Sequence, residues 1–538
     1  MKKLVSRFMA VLMAMTMILS MSMTAFAAEA PKGTLTVNNT VAGKTLDLYQ
    51  IFTATKNGDN VAYTLNSAYE GFFKNNTRIP GSESLTGEAL SEKAYEYVKT
   101  QVGTDGKSGT GFAKEILGWI LENATTVATT HTTATTTAGS TVISGLEYGY
   151  YVVYPLGATD TSAAPGEQDY TSVASLVSVT GDTSINMKSN YPTVVKKVND
   201  KNADDVNIGD TVTYTLTSKV PDMTGYTSYV FNFKDTLSAG LTFKEITSVT
   251  VGETTITKVD AGQEADNTYT LTQDGQNITI TMNNFLASNK DNTGKEIKVT
   301  YTATLNKDAV TGFDANKNSA TVEYSNKPGT DNKGESEPSI VDVHTFNFTI
   351  FKYYLKDETK TGLANAEFEL YKANEAGDAA DTNAKINIVK VKDGEYRQAT
   401  PEEAAAEGFK SDVIVSGTDG KVLVKGLDAG TYYLRETKAP EGYNKLLSDI
   451  KVEIKANYDE TTGKLTSYSV DYTYNGTTTT GTAITSKDNS PEVAVENKTG
   501  AQLPSTGSKG ALMVTLAGIV LFGALTASKA FGKKKANN

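Results

Sequence analysis

Gly426-Leu427-Asp428-Ala429-Gly430-Thr431-Tyr432-Tyr433-Leu434-Arg435-Glu436 is paralleled, with one residue deleted, by Gly145-Leu146-Glu147-Tyr148-Gly149-Tyr150-Tyr151-Val152-Val153-Tyr154 far upstream in the same chain. Two copies of one pattern imply two domains of shared topology. Between and around them, short runs rich in Thr, Val and Tyr alternate apolar with polar residues. Val212, Tyr214 and Leu216 share one face, as do Val299, Tyr301 and Ala303. A period of two is that of a half-buried strand, because successive side chains point to opposite faces of a sheet. Clusters of Gly, Asn and Asp punctuate these runs at short intervals, which predicts a mainly β chain of tandem antiparallel sandwiches.

One segment breaks the period. Leu90, Ala94, Tyr97 and Val98, then Ile116, Leu117, Ile120 and Leu121, recur at three- and four-residue spacing, so the first domain should carry two helices inserted between its strands. Trp119, in the second of them, is most simply a packing residue. The threonine-rich residues 125–141 read as an exposed extended linker or loop. Boundaries at Asn190-Tyr191-Pro192 and in the polar residues 326–338 divide the body into 28–190, 191–340 and 341–500. A chain of 538 residues is long enough for three such domains.

Composition closes off several chemistries. With no cysteine, the chain holds no disulfide, thiolate metal site or Cys nucleophile, so covalent reinforcement must come from elsewhere. Its 2 histidines, His131 and His344, lie in the threonine tract and near a linker, a poor basis for a catalytic triad or a His-rich metal site. No cofactor or metal is expected, and no hydrolase constellation is found. The formal net charge is -11, and both chain ends contribute only basic residues, so the body is more acidic still and should repel nucleic acid and anionic membranes. Acidic loops at 200–205 and 260–266 lack regular calcium-ligand spacing and read as solvated turns.

The ends give an address. Residues 1–27 have a basic start, an apolar run from Phe8 to about Leu19 and the small-residue site Ala25-Phe26-Ala27, a secretory signal ending at Ala27. At the other end Leu503-Pro504-Ser505-Thr506-Gly507 precedes apolar residues 511–527, long enough for one transmembrane span, and Lys533-Lys534-Lys535 would hold the end in the cytoplasm. Pentapeptide, span and basic tail, together residues 503–538, resemble the cell-wall sorting signal of Gram-positive surface proteins. The resemblance implies that a membrane sortase cleaves between Thr506 and Gly507, holds the Thr506 carbonyl as a thioester and passes it to an amine.

Three polar residues of the third domain point toward its core. Phe348-Thr349-Ile350-Phe351-Lys352 places Lys352 on the face of Phe348 and Ile350. Tyr433-Leu434-Arg435-Glu436 places Glu436 with Leu434, and Val493-Ala494-Val495-Glu496-Asn497 places Asn497 with Val493 and Val495. Such burial demands a partner for each group, and it lowers a lysine pKa until the neutral, nucleophilic amine is accessible. With the run Tyr432-Tyr433-Leu434-Arg435-Glu436-Thr437-Lys438-Ala439-Pro440-Glu441-Gly442-Tyr443, these residues resemble the collagen-adhesin B-type domains of Gram-positive pilins and adhesins. The resemblance implies an immunoglobulin-like sandwich in which an isopeptide bond joins Lys352 to Asn497, with Glu436 as the catalytic acid and ammonia as the leaving group.

The second domain resembles the matching pilin domain. Thr193-Val194-Val195-Lys196-Lys197-Val198 sets Lys196 with Val194 and Val198, Asp235 lies in Lys234-Asp235-Thr236-Leu237, and Asn318 opens the closing strand Asn318-Ser319-Ala320-Thr321-Val322-Glu323-Tyr324. The resemblance implies a bond from Lys196 to Asn318 catalysed by Asp235. Preferring Asn318 to Asn316 or Asn326 rests on that resemblance and not on periodicity. The first domain has Asn38 or Asn39 near the lysine position and Tyr154 near the glutamate position, so it should lack this bond and be the softest of the three.

Taken together, the features are similar to the major (backbone) pilin of sortase-assembled pili. In that family a class C sortase joins the threonine of one subunit to a lysine of the next, within a Tyr-Pro-Lys motif between the first two domains. Here Asn190-Tyr191-Pro192-Thr193 has Thr193 at the lysine position. Lys197, outward if Lys196 is inward, is the first choice of acceptor, and Lys188 the second. The implied partners are identical subunits, minor pilins, class C and housekeeping sortases, peptidoglycan and an unidentified host or microbial ligand, on a wall-anchored adhesive pilus. The chain would be a sortase substrate and no enzyme. The competing expectation is a monomeric wall-anchored adhesin.

Overall fold

A computed structural model describes residues 31–103, 109–159, 173–187, 190–487 and 489–500. The signal segment with Ala27, Lys188, the 503–507 pentapeptide and the 511–527 span lie outside the described residues. Among the described residues no helix is long and apolar enough to cross a membrane. They form two compact units, one running to Thr345 and including Tyr458–Thr466, the other made of Phe346–Asn457 and residues from Ser467 onward.

The first unit opens with a sandwich backed by helices. One sheet holds the strand Lys32–Thr40 between Gly139–Glu147 and Asp182–Asn186. The other runs Asn60–Leu65, Thr45–Asn57, Gly149–Pro155, Ser175–Val179, with His131–Thr135 added to Thr45–Asn57. Leu46, Leu48, Tyr151 and Val153 face the first sheet, while Tyr49, Ile51, Val152 and Tyr154 face helices Gly87–Val102 and Gly109–Glu122. Both faces of this sheet are covered, so these strands read as continuous apolar runs rather than alternation. Each helix turns the stripe expected from its spacing onto the sheet: Leu90, Ala94, Val98, Ile116, Leu117 and Ile120 are buried.

The threonine tract is not the free linker that its composition suggested. His131–Thr135 pairs with residues 45–49, and Gly139–Glu147 with the first strand. Threonine is β-branched, and its stiff side chain suits a pleated surface at least as well as a loop.

The repeat is real but needs no deletion. Tyr151 Oη donates to Glu147 O at 2.7 Å, and Tyr432 Oη donates to Asp428 O at 3.1 Å, the same four-residue reach in both hairpins. Gly145 and Gly426 both adopt left-handed φ, +76° and +90°, where a side chain would be strained. In this register Pro155, not Tyr154, stands at the Glu436 position: Pro155 is opposite Leu46 and Glu436 opposite Phe368. Counting along the pairing of the opening strands in the same way, Asn39 rather than Asn38 matches Lys352, and it sits at a left-handed kink with φ +60°.

Lacking both a lysine and an acid at these positions, the first sandwich should melt before the others. Trp119, the chain's single tryptophan, is a local reporter, with its ring 5.8 Å from Phe72 and 6.0 Å from Tyr69. Its fluorescence transition is expected below the main loss of strand circular dichroism; coincident transitions would contradict this.

The second sandwich completes the first unit. One sheet runs Thr254–Thr255, Leu241–Val251, Glu296–Leu305, Thr211–Lys219, Val195–Val198. The facing sheet runs Ala203–Asp205, Ser339–His344, Asn316–Ser325, Phe231–Leu237, Asn277–Met282, Thr268–Asp274, Thr257–Lys258. Val212, Tyr214, Leu216, Val299, Tyr301 and Ala303 all enter the core between them. Asn316–Ser325 is not the closing strand: Ser339–His344 follows and pairs with it, so the boundary expected at 340/341 falls within a strand.

In the other unit, Phe346–Lys356 lies between Thr359–Gly362 and Lys421–Leu427 and takes Glu492–Glu496 alongside it in parallel. The facing sheet is built around Glu367–Ala373, Gly430–Lys438 and Ile450–Tyr458. Parallel pairing also joins Lys32–Thr40 to Asp182–Asn186, so the sheets are mixed where a terminal strand returns beside the opening one. A long connection permits this, whereas a tight hairpin would force antiparallel pairing.

Candidate functional site: two buried lysine, carboxylate and asparagine clusters

In the second sandwich, alternation along Val195–Val198 leaves Val195 exposed and turns Lys196 inward with Val194 and Val198. Lys196 Nζ donates to Asp235 Oδ2 and, at 2.7 Å, to Tyr301 Oη. Tyr301 Oη donates to Asp235 Oδ2 at 2.8 Å and accepts from Asn318 Nδ2 at 2.7 Å. Asp235 and Asn318 come from adjacent strands of one sheet, Lys196 and Tyr301 from the sheet facing it. The lysine side chain is 0% exposed and the aspartate side chain 1%, so a charged pair here has lost its water. Burial holds the Lys196 amine below the ordinary lysine range, although Asp235 pulls the other way.

The structure separates the three asparagines that periodicity left equivalent. The Asn316 carboxamide is engaged by backbone, donating to Val310 O and Val343 O and accepting from Val310 N. Asn326 is only half-buried. Asn318 alone of the three touches the lysine cluster, and its Oδ1 is buried without a hydrogen-bond partner.

In the third sandwich, Lys352 lies opposite Val495 in the parallel pair, which sets Asn497 one pleat further along the same face. Asn497 N donates to Tyr353 O at 2.9 Å and extends that pairing. Lys352 Nζ is 3.0 Å from Glu436 Oε1, both side chains fully buried, and the two groups meet without hydrogen-bond alignment. The loop after the Glu436 strand closes the cluster, with Leu446 N donating to Glu436 Oε2 and Asn497 Nδ2 donating to Asn444 O, each at 2.7 Å. Gly420 permits a close approach beside the lysine, since a Cβ there would meet Lys352 O at 2.2 Å.

Burial lowers the Lys352 pKa from 10.5 to about 8, against the opposing pull of Glu436. A lysine amine is nucleophilic only when neutral, and its neutral fraction rises with pH up to that value. Bond formation in the newly folded third sandwich should therefore slow roughly tenfold per unit below about pH 8 and level off above it. The check is the yield of the Lys352–Asn497 crosslinked peptide against time at several pH values; a flat profile would contradict the assignment of the amine.

Periodicity passed over Tyr301, Asn444 and Leu446. Tyr301 was already on a core-facing position, and a buried phenol needs a polar partner, which was a usable signal. Asn444 and Leu446 act through backbone atoms and leave no mark in side-chain pattern. Lys197 turns to the other face of its strand, half-buried, with Nζ donating to Asn202 Oδ1 at 2.6 Å. Among the described residues no group of three or more Asp, Glu, His or Cys side chains is arranged to hold a metal ion.

Residues 208–328 match the family of the Gram-positive pilin backbone subunit 2, Cna-B-like domain, and residues 349–469 match the SpaA prealbumin-like fold domain. The chain therefore carries one segment of the Gram-positive pilin-backbone, Cna-B-like type and one of the SpaA prealbumin-like type. Among curated relatives, it is 29% identical over 268 residues to the fimbrial subunit type 2 of Actinomyces naeslundii, covering 46% of this chain and 48% of that protein. It is 26% identical over 329 residues to the trypsin-resistant surface T6 protein of Streptococcus pyogenes serotype M6, covering 55% of this chain and 51% of that one. The chain thus spans about half the length of the curated relatives it matches. Among solved structures, the T6 backbone pilin of Streptococcus pyogenes aligns with TM-score 0.46 and 16% identity over 88% of this chain and 100% of that one.

Proposed function

We propose that the chain is the major structural subunit of a covalent, cell-wall-anchored pilus, stiffened by isopeptide bonds from Lys196 to Asn318 and from Lys352 to Asn497. The observation that carries this reading is the same buried triad, lysine, carboxylate and asparagine, in two sandwiches that match pilin-domain families. In each, the neutral amine attacks the carboxamide carbon, the carboxyl group polarises the carbonyl and shuttles protons, and ammonia leaves. Holding the reactants together in a dry core replaces a bimolecular encounter. A class C sortase would join Thr506 of one subunit to Lys197 of the next, and a housekeeping sortase would fix the pilus base to peptidoglycan.

The two bonds would carry tension differently. In the third sandwich the bond links the opening strand to the closing one, so pulling force passes almost the whole domain by. In the second, Asn318 is followed by Ser339–His344, which leaves residues 319–345 in the line of force. The first kind gives nearly complete covalent continuity, and the second marks where extension under load would begin.

The test is mass. The full chain made without sortase should be lighter than its sequence by two molecules of ammonia, and Lys196→Ala and Lys352→Ala should each restore one. A chain of full calculated mass would reduce both triads to packed polar residues and leave the monomeric adhesin as the better reading.

A further inference from the structure

Tyr301 joins the second cluster into one network. Its strand Glu296–Leu305 pairs with Thr211–Lys219 so that Tyr301 lies opposite Tyr214, and the two rings stack with centroids 5.1 Å apart at 24°. Lys196 Nζ sits 4.9 Å from the Tyr214 ring centroid and 5.1 Å from that of Tyr301. This packing fixes the phenol oxygen at 2.7 Å from Lys196 Nζ, 2.7 Å from Asn318 Nδ2 and 2.8 Å from Asp235 Oδ2. In the reaction proposed above these are the nucleophile, the leaving nitrogen and the acid.

We infer that Tyr301 is a catalytic residue of the second sandwich, passing the proton of the lysine nitrogen to the departing amide nitrogen. The inference rests on reading Lys196 and Asn318 as the reacting pair. Condensing an amine with a carboxamide forms the Nζ–Cγ bond, breaks the Cγ–Nδ2 bond and moves one proton from Nζ to Nδ2, which leaves as ammonia. In the planar amide Nδ2 has no basic lone pair and can only donate, as it does to Tyr301 Oη. Once Cγ is tetrahedral the nitrogen regains its lone pair and the same contact runs in reverse. Oη gives its proton to Nδ2 and takes one from Nζ, so the phenol ends as it began and no other reactant is needed. Burial raises the Tyr301 pKa well above the usual phenol value, which keeps the proton on the oxygen until that step.

Among the described residues, no hydroxyl of the third sandwich is hydrogen-bonded to Lys352 Nζ or Asn497 Nδ2. Lys352 Nζ lies 5.7 Å from the ring centroid of Phe368, and Asn497 Nδ2 donates to a backbone carbonyl, which has no proton to return. The relay there falls to Glu436. The two bonds should accordingly form by routes that one substitution can separate.

The experiment follows the full chain through cell-free synthesis and measures, against time, the crosslinked peptides containing Lys196 with Asn318 and Lys352 with Asn497. Tyr301→Phe should slow the first roughly 100-fold, within the usual range for a positioned acid-base group, and leave the second unchanged. An unchanged rate for the first would overturn the inference. If Tyr301→Phe fails to fold, a difluorinated tyrosine at position 301 keeps ring and hydroxyl while making the phenol more acidic. It should change the first rate several-fold and shift its pH profile, and an unaltered rate and profile would equally overturn the relay. Absence of the Lys196–Asn318 peptide from the unsubstituted chain would instead sink the reacting pair itself, and the inference with it.

Discussion

Asn497→Ala is expected to lower the melting transition of the third sandwich by roughly 10–20 °C, the consequence of about 5 kcal/mol lost from a domain of this size. The substitution removes the crosslink but leaves Lys352 beside Glu436, 3.0 Å apart. What disappears is mainly the restriction that a bond between the opening and closing strands places on the unfolded chain; the bond from Lys352 to Asn497 closes a loop of about 145 residues, worth about 5 kcal/mol in the chain-entropy account. Lys352→Ala should be worse, because it removes the bond and also strands a fully buried Glu436, at a further cost of about 3–5 kcal/mol. The expected order of stability is unsubstituted chain, Asn497→Ala, Lys352→Ala, read by calorimetry and by resistance to trypsin. Asn497→Ala melting with the unsubstituted chain would mean that no covalent bond was there to lose.

The second large effect concerns assembly. With a class C sortase present, Lys197→Arg should abolish the high-mass ladder on denaturing gels while leaving both ammonia deficits intact. Arginine preserves the charge and the reach toward Asn202 Oδ1 but offers no amine that can attack a thioester. The neighbouring Lys196 cannot substitute, since its side chain is 0% exposed. Lys197 is only half-buried on the opposite face of the strand, so a sortase must displace one hydrogen bond to use it. A ladder that persists in Lys197→Arg and vanishes in Lys188→Arg would move the acceptor to the second choice. Persistence in both variants would remove both candidates.

The strand period was legible because a sandwich strand has one wet face and one dry face, so burial is written into every second residue. That rule turns Lys196, Lys352, Glu436 and Asn497 inward, and the same rule in its helical form marks the two helices. It failed where its premise failed. Thr45–Asn57 is covered on both faces, and the threonine tract has the same composition in a strand as in a loop.

Sequence by itself therefore determined the facing of residues within each strand, the sandwich class and the chemical inventory: no thiol, two lysines aimed at cores, and acids and carboxamides to meet them. Only the tertiary structure decided which groups meet. Asn316 and Asn318 share one face of one strand, yet Asn316 is saturated by the loop at Val310 and the neighbouring strand at Val343, whereas Asn318 meets Tyr301 of the facing sheet. Likewise Pro155 and Asn39 take the places of Glu436 and Lys352 through interstrand register, which depends on partner strands far away in sequence. Alternation is a local consequence of backbone geometry, whereas contact across a core depends on how sheets are registered and stacked, and no single strand carries that information.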